Sequence, residues 1–388
     1  MIPVSQNATD DSNRLRIAII PAGFDPRLSY NENVFAQTLH DMGHEVMVFT
    51  SYHGSGENEG ETIAMDATLD FCVVRTGKAF KIFNTTFSWD SEIQKKITCF
   101  KPDVALVLAP NHGLGMQWVR YLPDSCRVIA GFSDLPWHRG FFRAWVKRNW
   151  SRRVIARAWK VVTATKATEI LITSWARAED RSKIEFIGLP FRGTSLDGGI
   201  PPPAAAALAA RVDKLIVCVT RVHASKNLEQ LFKSVERFLI ASPGCGFVMA
   251  GFDNGAESNR LRSCILASPV VGRCEILPVL NAGEIGGLFN IADCSIWSLV
   301  SIGIYHSLHC GCPVIVREGQ DATHLLADPA GGAWFRDLDT IDKVLPEVLG
   351  RNISRRMISK CVSPYEAESI LSKLLEGISP AVEKVGEA

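Results

Sequence analysis

Short apolar runs alternate with longer amphipathic stretches along this chain. In the first half, Leu15–Pro21 (LRIAIIP), Glu45–Thr50 (EVMVFT), Phe71–Arg75, Val104–Ala109, Arg127–Gly131 and Val161–Ala164 read as strands. Their Val, Ile, Leu and Ala run continuously instead of alternating with polar residues, the pattern of parallel strands covered on both faces. The amphipathic stretch Asn33–Met42, stopped by Gly43, predicts a helix between the first two strands. A second series begins after Val212. Leu215–Thr220 is a strand, and Leu228–Ala241 is a helix closed by Pro243 and Gly244. Further strands follow at Gly246–Ala250, Cys274–Leu277, Cys294–Trp297 and Val314–Val316. Strands separated by helices imply right-handed crossovers and doubly wound sheets.

The two series are joined by GTSLDGGIPPPAAAALAA, residues 193–210, whose glycines and prolines mark a linker and whose Ala-rich end suits a short helix. The expected organisation is an N-terminal domain over residues 1–192 and a second domain over 193–363. The amphipathic stretch Pro364–Glu376 opens a final segment, 364–388, expected to pack back toward the first domain. The fold class is α/β, two Rossmann-like domains facing across a cleft, with ligands at the carboxyl ends of the strands. Pattern alone fits epimerases, phosphorylases and periplasmic-type binding proteins equally well.

Composition narrows this only a little. The chain has 388 residues and a net charge of +1, so nothing draws the whole chain toward nucleic acid or membrane. No apolar run approaches the roughly 18 residues needed to span a bilayer. The opening MIPVSQNATDDSNRLR lacks the charged start and apolar stretch of a signal peptide. The 11 cysteines form no CxxC pair and mostly lie in apolar segments, as buried thiols of a reducing cytosol do. The expected location is cytoplasmic.

Several motifs carry a more specific signal. VTRVHASKNLEQLF places Arg221 and Lys226 just past a buried strand and before a helix. Strand ends and helix N-termini favour anions; Arg forks onto phosphate oxygens and Lys acts as a point charge. LNAGEIGGLFNIADCSIWSL leads to a strand, a short helix and HCGCPVI. RIAIIPAGFDP, KPDVALVLAPNHG and CRVIAGFSDLP are strand-and-loop segments of the first half. Together, over roughly Ile17 to Ile370, these segments resemble a divergent member of glycosyltransferase family 4, which has the GT-B fold.

The resemblance implies transfer of a sugar from a nucleoside-diphosphate sugar to an acceptor, with retention, without a metal and without a cofactor. It implies that Arg221 and Lys226 hold the donor diphosphate. It places donor sugar and nucleotide contacts at Leu280, Ser298, Ser301, Ile302, Gly303 and His306. It points to His112 and Asp134 as catalytic candidates on the acceptor side. The chain departs from the family at several of these places. Two glutamates eight residues apart are replaced by Ser298 and His306, a Gly-Gly pair by Ser29-Tyr30, and a histidine by Ser133. A catalytically altered nucleotide-binding protein or a sugar-nucleotide epimerase are therefore the alternatives. His306, His309, Cys310 and Cys312 invite a metal reading, but the Cys-Gly-x-Pro turn explains that segment and no metal site is expected.

The stretch 138–160 (HRGFFRAWVKRNWSRRVIARAWK) holds eight Lys or Arg, five Phe or Trp and no acid. Such a mixture suits an anionic membrane surface and equally a nucleic acid, or a basic helix with inward tryptophans; the membrane surface is the preferred functional reading. The expected partners are a nucleotide-sugar donor, a saccharide or lipid-linked acceptor as in polysaccharide-precursor synthesis, and the inner membrane face through 138–160. No nucleic acid is expected.

Overall fold

The structure, a computed structural model, describes residues 14–26, 31–52, 59–82, 85–108, 110–133 and 141–380. Ser29, Tyr30, Asp134 and His138 lie outside the described residues. The chain forms two compact units, Met1–Pro190 with Ala367–Ala388, and Phe191–Glu366.

The first unit holds strands β1 (Arg16–Ile20), β2 (Glu45–Ser51), β3 (Cys72–Thr76), β4 (Ala79–Ile82), β5 (Thr85–Ser88), β6 (Val104–Leu108), β7 (Arg127–Phe132), β8 (Lys160–Thr163) and β9 (Ile184–Phe186). Seven of them form one parallel sheet in the order β3-β2-β1-β6-β7-β8-β9. β4 and β5 pair antiparallel as a separate hairpin. The continuous apolar runs are buried on both faces: every residue of β6 is buried. Core clusters lie on either side of the sheet, one with Ala18, Val107, Trp118, Val154 and Ile155, the other with Ile17, Leu39, Leu106 and Ile129. Ile370, Leu371 and Leu374 of the C-terminal helix Ala367–Leu375 join the second cluster, beside the helix Asn31–Asp41.

The second unit holds β10 (Lys214–Val219), β11 (Cys245–Phe252), β12 (Cys274–Pro278), β13 (Cys294–Trp297), β14 (Val314–Arg317) and β15 (Gly332–Phe335). They form a parallel sheet in the order β12-β11-β10-β13-β14-β15. The helix Leu228–Ala241 turns Leu231, Phe232, Val235 and Leu239 into the core against Ile216, Phe247 and Met249. The linker carries the short helix Pro203–Ala209, with Pro at its first position. All eleven cysteines are free thiols.

In each sheet the chain winds outward from a central strand to one edge, then returns to the other side of that strand. The reversal falls between β1 and β6 in the first unit, and between β10 and β13 in the second. Crossover loops leave in opposite directions at such a point, so a crevice opens at the carboxyl ends of the two strands. The residues that follow β6, β10 and β13 line these crevices.

Candidate functional site

β10 and β13 are in register, Val217 beside Ser295. Their next residues are therefore neighbours: Thr220–Asn227 after β10, and Ser298–Ser301 after β13. Four of the donor-side candidates, Arg221, Lys226, Ser298 and Ser301, thus meet at one crevice of the second unit, with the helix Ile302–His309 opening from it.

The loop after β10 is fixed by its neighbour strand. Gly251 of β11 has φ +110°, and a Cβ there would lie 2.1 Å from the Thr220 carbonyl oxygen. Only glycine allows both the left-handed backbone and that approach. Thr220 N–H donates to the Ala250 carbonyl at 2.9 Å and Val222 N–H to that of Gly251 at 3.3 Å. The loop then forms a short turn, Ala224–Lys226, capped by the His223 ring, which accepts from Ser225 N–H. Asn227, at φ +48°, reverses the chain into the helix Leu228–Ala241.

This geometry turns Lys226 back toward β10. Its Nζ donates to Thr220 Oγ1 at 2.5 Å and to the Arg221 carbonyl at 3.0 Å. An ammonium has three protons, so one remains for a further acceptor. Lys226 is half-buried, and desolvation lowers its pKa from the usual lysine value, with Arg221 pushing the same way. An arriving anion offsets both effects by favouring the charged ammonium. The Arg221 guanidinium is exposed and, among the described residues, makes no hydrogen bond or ion pair. Thr220 is a residue the sequence reading missed; a hydroxyl side chain at the strand end, six residues before the lysine, was the available signal.

The loop after β13 is held from beneath. Gly303 sits against the Trp297 ring, where a Cβ would come within 2.3 Å of the indole. Trp297 Nε1 donates to Ser295 Oγ at 2.7 Å, and Ser307 Oγ donates to the Cys312 carbonyl at 2.9 Å. The 2.7 Å contact between Ser295 and Ser307 therefore runs from Ser295 to Ser307, since each hydroxyl has one proton. This relay fastens the helix to β13. Ser301 is the helix N-cap residue without a side-chain cap bond. The first-turn amides of Ile302 and Gly303 have no intrahelical acceptor and face the crevice end, where the helix dipole favours negative charge.

Ser298 is buried at the end of β13. His306 lies one turn deeper on the helix, 8% exposed, edge-on to Phe191 with ring centroids 6.1 Å apart. Burial, aided by nearby His309, lowers its pKa to about 4. His306 is neutral at pH 7, so it presents one donor and one acceptor where a carboxylate would present acceptors alone. His309 bridges Asp197 at 3.2 Å and Glu366 at 3.3 Å. Burial pushes the Cys310 and Cys312 thiols up to about 12. Among the described residues no group of three or more His, Cys, Asp or Glu is placed to hold a metal. Leu280 follows β12, two strands from β10 and at the same carboxyl end of the sheet as the Arg221 loop.

In the first unit, His112 follows β6 and occupies the N-cap position of the helix Gly113–Trp118, half-buried at the β1/β6 crevice. The hairpin strand β5 lies directly on this helix. A Cβ at Gly113 would meet the Thr86 carbonyl at 2.4 Å, and Gln117 exchanges hydrogen bonds with the Ser88 backbone at 2.9 and 3.2 Å. The basic stretch forms the helix Phe141–Arg157. Trp150 packs edge-on to Phe87 at 5.3 Å, and Trp159 lies under Arg127 and Lys160. Trp145, by contrast, is 54% exposed, beside exposed Arg148 and Arg153. No helix among the described residues is long and apolar enough to cross a membrane.

No protein-family model matches the chain, and no curated protein matches it in sequence. Solved structures do resemble it. A glycosyltransferase from Rickettsia africae superposes with a TM-score of 0.69 at 13% identity, over 94% of this chain and 97% of that one. HepE from Anabaena, in complex with UDP, gives 0.66 at 12% identity over 93% and 98%. A structure described as a UDP-N-acetylglucosamine 2-epimerase from Listeria monocytogenes gives 0.62 at 12% over 93% and 96%. At such identities the likeness is one of fold. The chain has the α/β fold of the two-domain GT-B proteins, with one Rossmann-like parallel sheet in each unit.

Proposed function

We propose that the chain is a glycosyltransferase that takes its sugar from a nucleoside-diphosphate donor, a divergent relative of glycosyltransferase family 4. The observation that carries this reading is the pairing of Arg221 and Lys226 at the β10/β13 crevice, beside the first-turn amides of Ile302 and Gly303. The diphosphate takes the third proton of Lys226 and the fork of Arg221. As the glycosidic bond lengthens, charge grows on the leaving phosphate. Preorganised cations and amides stabilise that charge more than they stabilise the bound donor. Ser298 and neutral His306 serve the sugar and ribose hydroxyls as donors and acceptors. The acceptor belongs to the first unit, where His112 stands at the corresponding crevice and Asp134 is its companion candidate. Retention of configuration and independence of metal and cofactors follow from the family reading. HepE binds UDP on the same fold, which supports a nucleotide-sugar donor.

The exposed Trp145, Arg148 and Arg153 support contact of the first unit with an anionic surface, as an enzyme with a lipid-linked acceptor requires. On this reading the protein works at the inner face of the membrane.

One observation favours a second reading. Neither Ser298 nor the neutral His306 supplies a carboxylate, which suits a nucleotide-binding protein without transfer activity or an epimerase on the same fold. Incubation with UDP-, GDP- and ADP-sugars, with and without saccharide acceptors, distinguishes them by NMR of the products. A new glycosidic linkage supports transfer. An acceptor-independent epimer, or a bound and unaltered donor, replaces it with the corresponding alternative.

A further inference from the structure

Lys147 was one cation among eight in the sequence, but the structure sets it apart. It is 6% exposed on the helix Phe141–Arg157, whereas its neighbours Arg148 and Arg153 are exposed. It makes no hydrogen bond or ion pair among the described residues. Desolvation alone lowers its pKa, with no carboxylate acting on it. An ammonium partly withdrawn from water without a counter-ion costs the fold free energy.

Its position is informative. The helix follows β7 and precedes β8, so it runs antiparallel to the strands and begins at their carboxyl ends. Lys147 lies in the second turn, and helical side chains lean toward the N-terminus. It shares a face with Ser151 and Val154, and Val154 lies in the core with Leu114 and Trp118. This face therefore looks onto the helix that His112 begins. Other buried polar atoms there also lack partners: Ser151 Oγ, Trp118 Nε1 and, on β5, Thr85 Oγ1. The elements that carry them are packed together, the Gly113–Trp118 helix against both β5 and the Phe141–Arg157 helix. A cation without an anion and hydroxyl and indole groups without partners thus belong to one layer of the acceptor-side unit.

We propose that Lys147 is the binding group for an anionic substituent, a phosphate or a carboxylate, of the acceptor. Part of the desolvation of the ammonium is already met by the fold, so an arriving anion gains Coulomb attraction at lower cost than at a fully solvated lysine. The proposal rests on the glycosyltransferase reading and names the acceptor's charge.

The test uses the full chain carrying Arg221→Ala and Lys226→Met, which removes the proposed donor cations. Melting temperature is followed against inorganic phosphate and, separately, glucuronate, at constant ionic strength. At least one anion is expected to raise the midpoint by several degrees, and the preferred one separates phosphate from carboxylate recognition. Adding Lys147→Met, or Lys147→Gln as a second variant, abolishes the rise while the chain still unfolds cooperatively. A rise that persists in both Lys147 variants, or no rise with either anion in the parent, overturns the proposal. UDP binding by Lys147→Met on the intact donor loop is measured alongside. Its loss or retention reports on the donor site separately.

Discussion

A Cβ on Gly251 would lie 2.1 Å from the carbonyl oxygen of Thr220, so the strand beside β10 dictates how the loop bearing Arg221 leaves the sheet. Gly251→Ala meets both that clash and a φ of +110°. It is expected to destabilise the chain by roughly 2–3 kcal/mol and to weaken UDP binding through the displaced loop. Gly272, which has no heavy atom within 4 Å of a built Cβ, is the control. Gly272→Ala should shift the urea midpoint by no more than about 0.5 kcal/mol equivalent.

Thr220 holds Lys226 in place through its Oγ1. Thr220→Val keeps the shape of the strand end and removes that acceptor. The expected result is UDP affinity reduced by about fivefold, near 1 kcal/mol, with the fold unchanged. Calorimetric titration and far-ultraviolet circular dichroism check the two halves of the statement.

His306 gives a pH signature. Its pKa is about 4 in the folded chain against the ordinary histidine value of 6.5, so the unfolded chain takes up the proton first as pH falls. Stability is therefore full above pH 6.5 and lost progressively down to about pH 4, by roughly 3 kcal/mol over that window. Urea midpoints at pH 7 and pH 4.5 should differ less in His306→Gln than in the wild type. An identical difference in both chains contradicts the assignment.

Ser307→Ala interrupts the relay from Trp297 through Ser295 to the Cys312 carbonyl. It leaves the Ser295 proton and that carbonyl buried without their partners, at a cost of about 1–3 kcal/mol. Because the relay ties the helix Ile302–His309 to β13, the near-ultraviolet signal of Trp297 should change with it.

Much of the fold was legible in the sequence. The helix Leu228–Ala241 and the strand Cys294–Trp297 have the bounds their apolar pattern implies, since Pro243 and Gly244 stop the one and Ser298 the other. Other elements carried too little pattern. β4 and β5 are four residues each and mix Lys, Ser and Thr with Phe, and β15 is the four-residue run GAWF opened by a glycine. Strand order was hidden altogether. Arg221 and Ser298 are far apart in sequence and become neighbours only because the chain returns from β12 to pair β13 with β10. Lys147 was invisible as a special residue, because a lysine in a basic stretch looks solvated until its helix is docked.

Isothermal titration with UDP tests the central claim most directly. The wild-type chain is expected to bind UDP, and Arg221→Ala and Lys226→Met each to weaken binding tenfold or more, at least about 1.4 kcal/mol, with melting temperatures preserved. Equal affinity in the wild type and both variants would contradict the assignment of these two cations to the donor diphosphate.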